Sequence, residues 1–257
     1  MARINKVTGQ KSQVKSKILI VYVTAGDPSL AVTEKLVYAF EKAGADIIEL
    51  GVPFSDPLAD GLIIQASHQR ALKKKVALSK ILALVKKARK KSQIPIALMA
   101  SDNLILQYGE KFEEDAIAAG VDGVIIPDLP PEENQGASSK GQGIDRIYLV
   151  APTSTDERIK MICDASSGFV YLVSIAGVTG LRKNLSADIS SFVERVRKYT
   201  NKPLCVGFGI SNPKQAREAA QFADGIIVGS AIVDILHKKG SKAAVEFVSA
   251  LRKAINA

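Results

Sequence analysis

Three carboxylates lie close together in the stretch ELGVPFSDPLADG, residues 49–61. They are Glu49, Asp56 and Asp60, and their neighbours are prolines, small residues and apolar side chains. A carboxyl group in an apolar environment is unfavourable unless it is paired, hydrogen-bonded or protonated, and a group held in this way is suited to proton transfer. The stretch therefore predicts acid–base chemistry. Glu49 and Asp60 are the stronger candidates, because Asp56 precedes a proline and also fits an ordinary turn.

Both stronger candidates also have a structural interpretation. Glu49 could be satisfied by nearby backbone N–H groups, and Asp60 could cap a helix or shape the turn before Gly61. The connection that holds both aspartates, residues 52–77, is longer than most others in the chain. Connections of this length in compact domains are often functional, which favours the chemical interpretation.

The elements that would position these carboxylates are eight short segments that are apolar almost throughout. Such segments are typical of parallel strands covered on both faces. Most of the gaps between them carry the amphipathic pattern of a helix, and this alternation predicts a (β/α)8 TIM barrel. The predicted strands are at residues 18–25, 45–52, 94–100, 123–128, 146–152, 169–175, 203–210 and 225–230.

The domain organisation follows from the same pattern. No linker or change in composition divides the chain, so we expect a single domain over residues 1–257. The basic residues 1–17 are expected to form a short helix on the barrel. A doubly wound open sheet is the alternative fold, but no GxGxxG motif follows the first predicted strand.

Barrel enzymes keep their catalytic groups at the carboxyl ends of the strands. Glu49 lies at the second of these ends, and no lysine lies at any of them, which argues against a Schiff-base aldolase. The two histidines, His68 and His237, are far apart in sequence, which argues against a metal cluster. Acid–base work by carboxylates is the chemistry that remains.

Glycine-rich segments follow the last three predicted strands. They are AGVTG at 176–180, GFGIS at 207–211 and GSAIV at 229–233, and the last of them leads into a helical pattern. The loops after strands seven and eight of a barrel often bind phosphate, because glycines let the ligand approach backbone N–H groups. Ordinary strand-to-helix turns are the alternative interpretation.

Composition limits the possible partners. The net charge of +9 comes from 35 basic and 26 acidic residues. The lysine-rich runs at residues 73–75 and 86–91 fit a solvated helix face better than a nucleic-acid site, since no nucleic-acid motif accompanies them. The surplus of positive charge favours small anionic substrates. No apolar run reaches the ~20 residues of a membrane span. The two cysteines lie in apolar stretches and are expected to be free thiols in a reducing cytoplasm.

Seven segments resemble, in the same order, those of the tryptophan synthase alpha chain family. ELGVPFSDPLADG is the most specific of them, and the resemblance extends over nearly the whole chain. The others are TAGDP at 24–28, AGVDGVIIPDLPPEE at 119–133, LVAPTSTDERI at 149–159, GVTG at 177–180, GFGIS at 207–211 and GSAIV at 229–233.

The resemblance implies an enzyme that cleaves indole-3-glycerol phosphate to indole and glyceraldehyde 3-phosphate in a retro-aldol reaction, without a metal or a cofactor of its own. Glu49 matches the general acid and base of the family. Asp60 matches the carboxylate that binds the indole N–H. Tyr22 and Tyr171 match residues that line the indole pocket, with Tyr22 at a position where many members have Phe.

The resemblance also covers the remaining substrate contacts. Thr179 matches a loop residue that contacts the Asp60 carboxylate when the loop closes. The residues that match the phosphate site are Gly180, Gly209, Gly229 and Ser230.

The implied partner is a beta chain that carries pyridoxal phosphate, in a cytoplasmic αββα heterotetramer. Three positions depart from the family pattern: Ser101-Asp102 replaces an aromatic pair, Leu62 replaces a proline, and Ile175 stands where some members have Arg. Two alternatives stay open. One is another phosphate-sugar lyase or isomerase on the same barrel, and the other is a catalytically idle subunit that only activates a beta chain.

Overall fold

Strands and helices alternate along the chain in the computed structural model, which describes residues 3–14, 16–57, 60–133, 143–173, 185–207 and 209–257. All strand pairs are parallel, in the order β5-β4-β3-β2-β1-β9-β8-β7-β6. The strands are β1 Ile18–Thr24, β2 Ile47–Gly51, β3 Ile96–Met99, β4 Gly123–Ile125, β5 Asp145–Ile147, β6 Leu149–Val150, β7 Val170–Val173, β8 Leu204–Gly207 and β9 Gly225–Val228.

The sheet closes into a barrel through a strand that changes partner. β5 pairs with β4 and β6 pairs with β7, and only Tyr148 separates β5 from β6 in the chain. Together β5 and β6 therefore act as the fifth of eight barrel strands, in the place where one segment at 146–152 was predicted. The (β/α)8 prediction is confirmed, and the open-sheet alternative is wrong.

Helices pack against the barrel strands. They are α1 Arg3–Val14, α2 Leu30–Ala43, α3 Leu62–Leu72, α4 Leu78–Ala88, α5 Asp102–Tyr108, α6 Phe112–Ala119, α7 Asp156–Ala165, α8 Leu185–Arg197, α9 Pro213–Phe222 and α10 Ser230–Asn256. Gly240, at φ 81°, interrupts α10 with a kink. The long connection at 52–77 is not all loop, because α3 occupies much of it.

Local signals explain where helices begin and end. The Ser29 side chain accepts a hydrogen bond from the backbone N–H of Val32 at the start of α2. Gly44 ends that helix in the left-handed conformation, at φ 101°, which glycine adopts without steric cost. Thr155 and Asn212 cap α7 and α9 in the same way as Ser29 caps α2.

The interior of the barrel is filled by alternate residues of the strands, as the two-residue repeat of a strand requires. These inward side chains form one apolar cluster, which Ile4 of α1 joins as a fully buried residue. Beside Ile4, Arg3 forms an ion pair of 2.8 Å with Asp122. The other members are Ile18, Ile20, Ile47, Ala97, Ile125, Ile147, Phe169, Cys205 and Ile227. A second and larger apolar cluster is formed by the other faces of the strands and by the helices that pack on them.

Candidate active site

Glu49 lies inside the barrel near the carboxyl end of β2. It pairs in register with Tyr22 of β1 and with Ala97 of β3, so these side chains share the inner face. Glu49 is 1% exposed, and neither of its carboxylate oxygens has a hydrogen-bond partner among the described residues. The interpretation that backbone N–H groups satisfy Glu49 finds no support in this part of the chain.

Burial, together with the nearby charge of Asp60, raises the pKa of Glu49 to about 8. Such a carboxyl group keeps its proton at neutral pH and can give that proton to a bound molecule. The resulting carboxylate can then take a proton back.

Asp60 is the second carboxylate at this end of the barrel. Its side chain is 28% exposed, and burial raises its pKa to about 6, below that of Glu49. Gly61, rather than Asp60, occupies the N-cap position of α3. Two hydrogen bonds hold the backbone of Asp60: its N–H donates to the carbonyl of Pro57, and its carbonyl accepts from the Gln65 side chain. The carboxylate itself faces His68, whose Nε2 lies 3.7 Å from Asp60 Oδ2.

Two tyrosines stand beside these carboxylates. The Tyr22 hydroxyl lies 3.2 Å from Thr24 Oγ1 and 3.2 Å from His68 Nε2, and the residue is buried. Tyr171 of β7 is half-buried. Burial raises the pKa of both tyrosines, and the charges of Glu49 and Asp60 raise them further. Both rings therefore stay neutral and can serve as walls of a pocket for an aromatic ligand.

Glycines make room for both tyrosine rings. A β-carbon at Gly51 would lie 2.0 Å from the Tyr22 hydroxyl oxygen, and one at Gly207 would lie 2.8 Å from Tyr171 Cε1. Sequence reasoning did not single out Gly51 as a site residue. Its signal was its place two residues after Glu49, because residues two apart on a strand share a face.

Backbone N–H groups suited to an anion occur after β8 and β9. Gly209 is exposed at φ 65°, and nothing lies within 4 Å of where its β-carbon would be. Gly229 is the N-cap of α10 and makes no side-chain capping bond, and the exposed Ser230 begins the helix. A helix N-terminus of this kind binds anions through its N–H groups and its dipole. Thr179 and Gly180 lie outside the described residues.

Two further acids, Asp128 and Asp56, have structural partners. Asp128, at the end of the fourth predicted strand, accepts hydrogen bonds from the Ser101 hydroxyl and the Asp102 backbone N–H at the start of α5. Asp56 is exposed and accepts from the neighbouring Ser55 hydroxyl. Within the described ranges, no three His, Cys, Asp or Glu side chains are grouped as a metal ion would require.

His68 is a residue of the site that sequence reasoning missed. It lies on α3, is buried, and contacts both Tyr22 and the loop that leads to Asp60. A single histidine in an amphipathic helix carries no signal of this role, because its partners are distant in the chain.

Comparisons with known proteins agree along the whole chain. The model of the family described as "Tryptophan synthase alpha chain" matches residues 9–256. The tryptophan synthase alpha chain of Geotalea daltonii is 50% identical over 236 residues, which cover 91% of this chain and 89% of that protein. The protein of the same name from Geotalea uraniireducens is 45% identical, over 100% of this chain and 99% of its own length.

Solved structures agree with the sequence matches. Tryptophan synthase subunit alpha of Legionella pneumophila superposes with a TM-score of 0.90 at 38% identity, over 100% of this chain and 99% of that one. A chain of Mycobacterium tuberculosis tryptophan synthase gives a TM-score of 0.92 at 37% identity, over 100% and 99%. The chain therefore belongs to the tryptophan synthase alpha chain family.

Proposed function

We propose that this chain cleaves indole-3-glycerol phosphate to indole and glyceraldehyde 3-phosphate, the carbon–carbon lyase reaction of its family. The observation that carries the proposal is Glu49, a buried carboxyl group without a described hydrogen-bond partner at the carboxyl end of a barrel strand. Such a group is unfavourable for the fold unless it is protonated or meets a ligand. Its presence here fits a catalytic acid.

The two carboxyl groups differ in the way this reaction requires. With a pKa of about 8, Glu49 is mainly neutral at neutral pH, whereas Asp60, with a pKa of about 6, is mainly ionised. A site that holds one proton donor and one anion can protonate a ring and stabilise the cation that results. The separation of the two pKa values therefore assigns Glu49 as the acid and Asp60 as the negative charge that balances the cation.

The bond changes follow from those two states. Glu49 gives its proton to C3 of the indole ring, and the positive charge that develops at the ring nitrogen lies against the Asp60 carboxylate. Glu49, now a carboxylate, takes the proton of the glycerol hydroxyl next to C3. That oxygen becomes the aldehyde carbonyl, and the electron pair of the broken carbon–carbon bond restores the indole ring. Glu49 ends the cycle protonated, so protons and electrons balance.

The remaining site residues would hold the substrate. Tyr22 and Tyr171 line the indole pocket, and the net charge of +9 favours an anionic ligand. The phosphate group would be bound by backbone N–H groups at the carboxyl ends of β8 and β9. The residues proposed for it are Gly180, Gly209, Gly229 and Ser230, with Thr179 as the contact of Asp60.

The assembly is part of the same proposal. A beta chain that carries pyridoxal phosphate is the partner of alpha chains in this family, and an αββα heterotetramer is the arrangement we expect. Two exposed leucines are candidates for contact with that partner: Leu62, at the start of α3, is 83% exposed, and Leu106 of α5 is 69% exposed. The buried free thiols Cys163 and Cys205 suit a reducing cytoplasm. No helix in the described part of the chain has the length and apolar character of a membrane span.

The test is an indole-release assay with purified chain and indole-3-glycerol phosphate, run with and without a beta chain. We expect indole and glyceraldehyde 3-phosphate in equal amounts, and a loss of at least about 10²-fold in Glu49→Gln, because proton transfer by a positioned group contributes that much. Binding of a non-cleavable indole phosphate should survive in that variant. Wild-type chain that releases no indole but still activates a beta chain would instead be the idle subunit.

A further inference from the structure

A chain of hydrogen bonds with a single direction runs through one wall of the site. At one end, the backbone N–H of Phe54 donates to His68 Nδ1 over 3.0 Å. At the other end, the Ser67 hydroxyl donates to the carbonyl of Ile64 over 2.6 Å. A backbone N–H can only donate and a carbonyl can only accept, so both ends are fixed.

The bonds between these ends follow by elimination. Ser67 has already used its proton, so the Thr24 hydroxyl, 2.5 Å away, donates to Ser67. The Tyr22 hydroxyl then donates to Thr24, and Tyr22 accepts from His68 Nε2–H. The bond from Phe54 independently requires the same tautomer, since a neutral imidazole that accepts at Nδ1 carries its proton at Nε2.

The Nε2–H group of His68 also faces the Asp60 carboxylate. His68 Nε2 lies 3.7 Å from Asp60 Oδ2, just beyond hydrogen-bond length, and 3.2 Å from the Tyr22 hydroxyl. His68 thus contacts two parts of the connection after β2. Its Nδ1 holds the backbone at Phe54, and its Nε2–H faces the carboxylate six residues further on.

We propose that His68 is a positioning residue: its Nδ1 fixes the backbone at Phe54, and its Nε2–H, at the opposite edge of the ring, orients the Tyr22 hydroxyl and the Asp60 carboxylate. The identity of the substrate rests on the proposed function above. A small movement of Asp60 toward Nε2 would give the carboxylate a hydrogen bond on the side away from the ligand. Its other oxygen would then face the indole N–H in a fixed direction, which is what electrostatic stabilisation of a developing cation requires.

Burial, rather than the surrounding charges, keeps the His68 ring neutral, because a nearby carboxylate such as Asp60 by itself favours the protonated form. Asp60 faces it from the loop and Tyr22 from β1, while Glu49 lies in register with Tyr22 on β2. On its own helix, Arg70 is bound by Asp27, so that cation is already paired. Burial lowers the pKa of His68, and the neutral form is the one that can accept from Phe54.

Two substitutions separate the two edges of the ring. In His68→Asn, the short side chain keeps an acceptor for the Phe54 N–H and loses the donor toward Asp60 and Tyr22. In His68→Gln, the longer side chain keeps a donor at the far end. We expect kcat to fall between about tenfold and about a hundredfold in His68→Asn, since misplacing a catalytic group by about 1 Å has such effects. In His68→Gln, kcat should return to near the wild-type value.

A double-mutant cycle shows whether the effect passes through Asp60. In an Asp60→Asn background, His68→Asn should change kcat by less than about threefold, because the group it positions is already gone. A merely structural role would give the same factor in both backgrounds, and that result overturns the proposal. Wild-type kcat in His68→Asn, at unchanged thermal stability, overturns it as well.

The tautomer can be measured independently of any activity. His237 is the second histidine of the chain and is exposed on α10, so His237→Gln leaves a single imidazole for ¹⁵N NMR. We expect the Nε2–H tautomer at neutral pH, and the Nδ1–H tautomer overturns the proposal. If the wild type releases no indole, the proposed function fails. The tautomer, and weaker binding of a non-cleavable indole phosphate by His68→Asn than by His68→Gln, still decide the role of His68.

Discussion

Gly51 leaves the space that the Tyr22 hydroxyl occupies. A β-carbon at Gly51 would lie 2.0 Å from this oxygen and 2.6 Å from the ring carbon that bears it. The relationship links two strands, because Gly51 ends β2 and Tyr22 lies on β1. Glu49, also on β2, is the partner of Tyr22 in register. The pocket wall therefore depends on a residue that has no side chain.

Gly51→Ala should displace the Tyr22 ring and break its bonds to Thr24 and His68. Overpacking of this kind destabilises a protein by about 1–3 kcal/mol, and the indole pocket should bind its ligand less tightly. Thermal unfolding and KM measure the two effects. Gly9→Ala in α1 is the control, since nothing lies within 4 Å of its added β-carbon. If Gly51→Ala matches that control in both measurements, Tyr22 is not held as described.

The separated pKa values of the two carboxyl groups predict a bell-shaped pH profile of kcat/KM for the free chain. Activity should rise as Asp60 loses its proton near pH 6 and fall as Glu49 loses its proton near pH 8. Because the two groups interact, the limbs report the pair rather than either residue alone. Initial rates across this interval, at constant ionic strength, measure the profile. If kcat/KM stayed constant from below pH 6 to above pH 8, the assignment of the two carboxyl groups would be wrong.

The stability of the fold should also depend on the Glu49 proton. The folded chain keeps this proton up to about pH 8, whereas an unfolded glutamate loses it near pH ~4.3. Between these values the unfolded state binds fewer protons, so wild-type stability falls as pH rises. Glu49→Gln has no such proton, and it should unfold at a higher temperature than wild type at about pH 8.5 and at a similar temperature near about pH 4. Thermal unfolding followed by circular dichroism measures both, and a difference independent of pH would be contrary to expectation.

Asp60 and Asp56 form a matched pair for substitution, because they lie in one loop but differ in burial. Asp60→Asn should lower kcat at least about 10²-fold, since an amide does not balance the cationic ring. Asp56→Asn should stay close to wild type, because the Asp56 side chain is exposed and bonds only to Ser55 in the described chain. Equal losses in the two variants would make Asp60 a loop residue rather than a catalytic one.

Much of the fold was predictable because its strands are buried on both faces. Each predicted apolar segment contains a strand, and the end of the second segment located Glu49 correctly inside the barrel. The change of partner at Tyr148 was not predictable, since the apolar run continues through it.

The polar wall of the site was not predictable from the sequence. His68 and Tyr22 are 46 positions apart, and Thr24 and Ser67 are 43 apart, so only the folded barrel brings them together. Local pattern reports the environment of a residue within its own element, whereas these bonds join a strand to a helix. The roles of Glu49 and Asp60 followed from the motif they share, and they stay predictions until the variants are measured.

The phosphate site offers a test in which backbone strain is matched. Gly209 and Gly240 both have positive φ, at 65° and 81°, and at both positions an added β-carbon meets nothing within 4 Å. Alanine should therefore strain the backbone to a similar degree at either position, by roughly 1 kcal/mol. Gly209 follows β8 at the carboxyl end of the barrel, and Gly240 is the kink within α10.

Gly209→Ala should raise KM for indole-3-glycerol phosphate by about tenfold or more, because a methyl group there takes the space through which phosphate reaches the N–H groups. Gly240→Ala should lower thermal stability to a similar extent and leave KM near wild type. Steady-state kinetics and thermal unfolding of both variants, with inorganic phosphate as a competitive inhibitor, separate strain from binding. Should both variants raise KM equally, or should phosphate inhibit Gly209→Ala as strongly as wild type, the phosphate group is bound elsewhere.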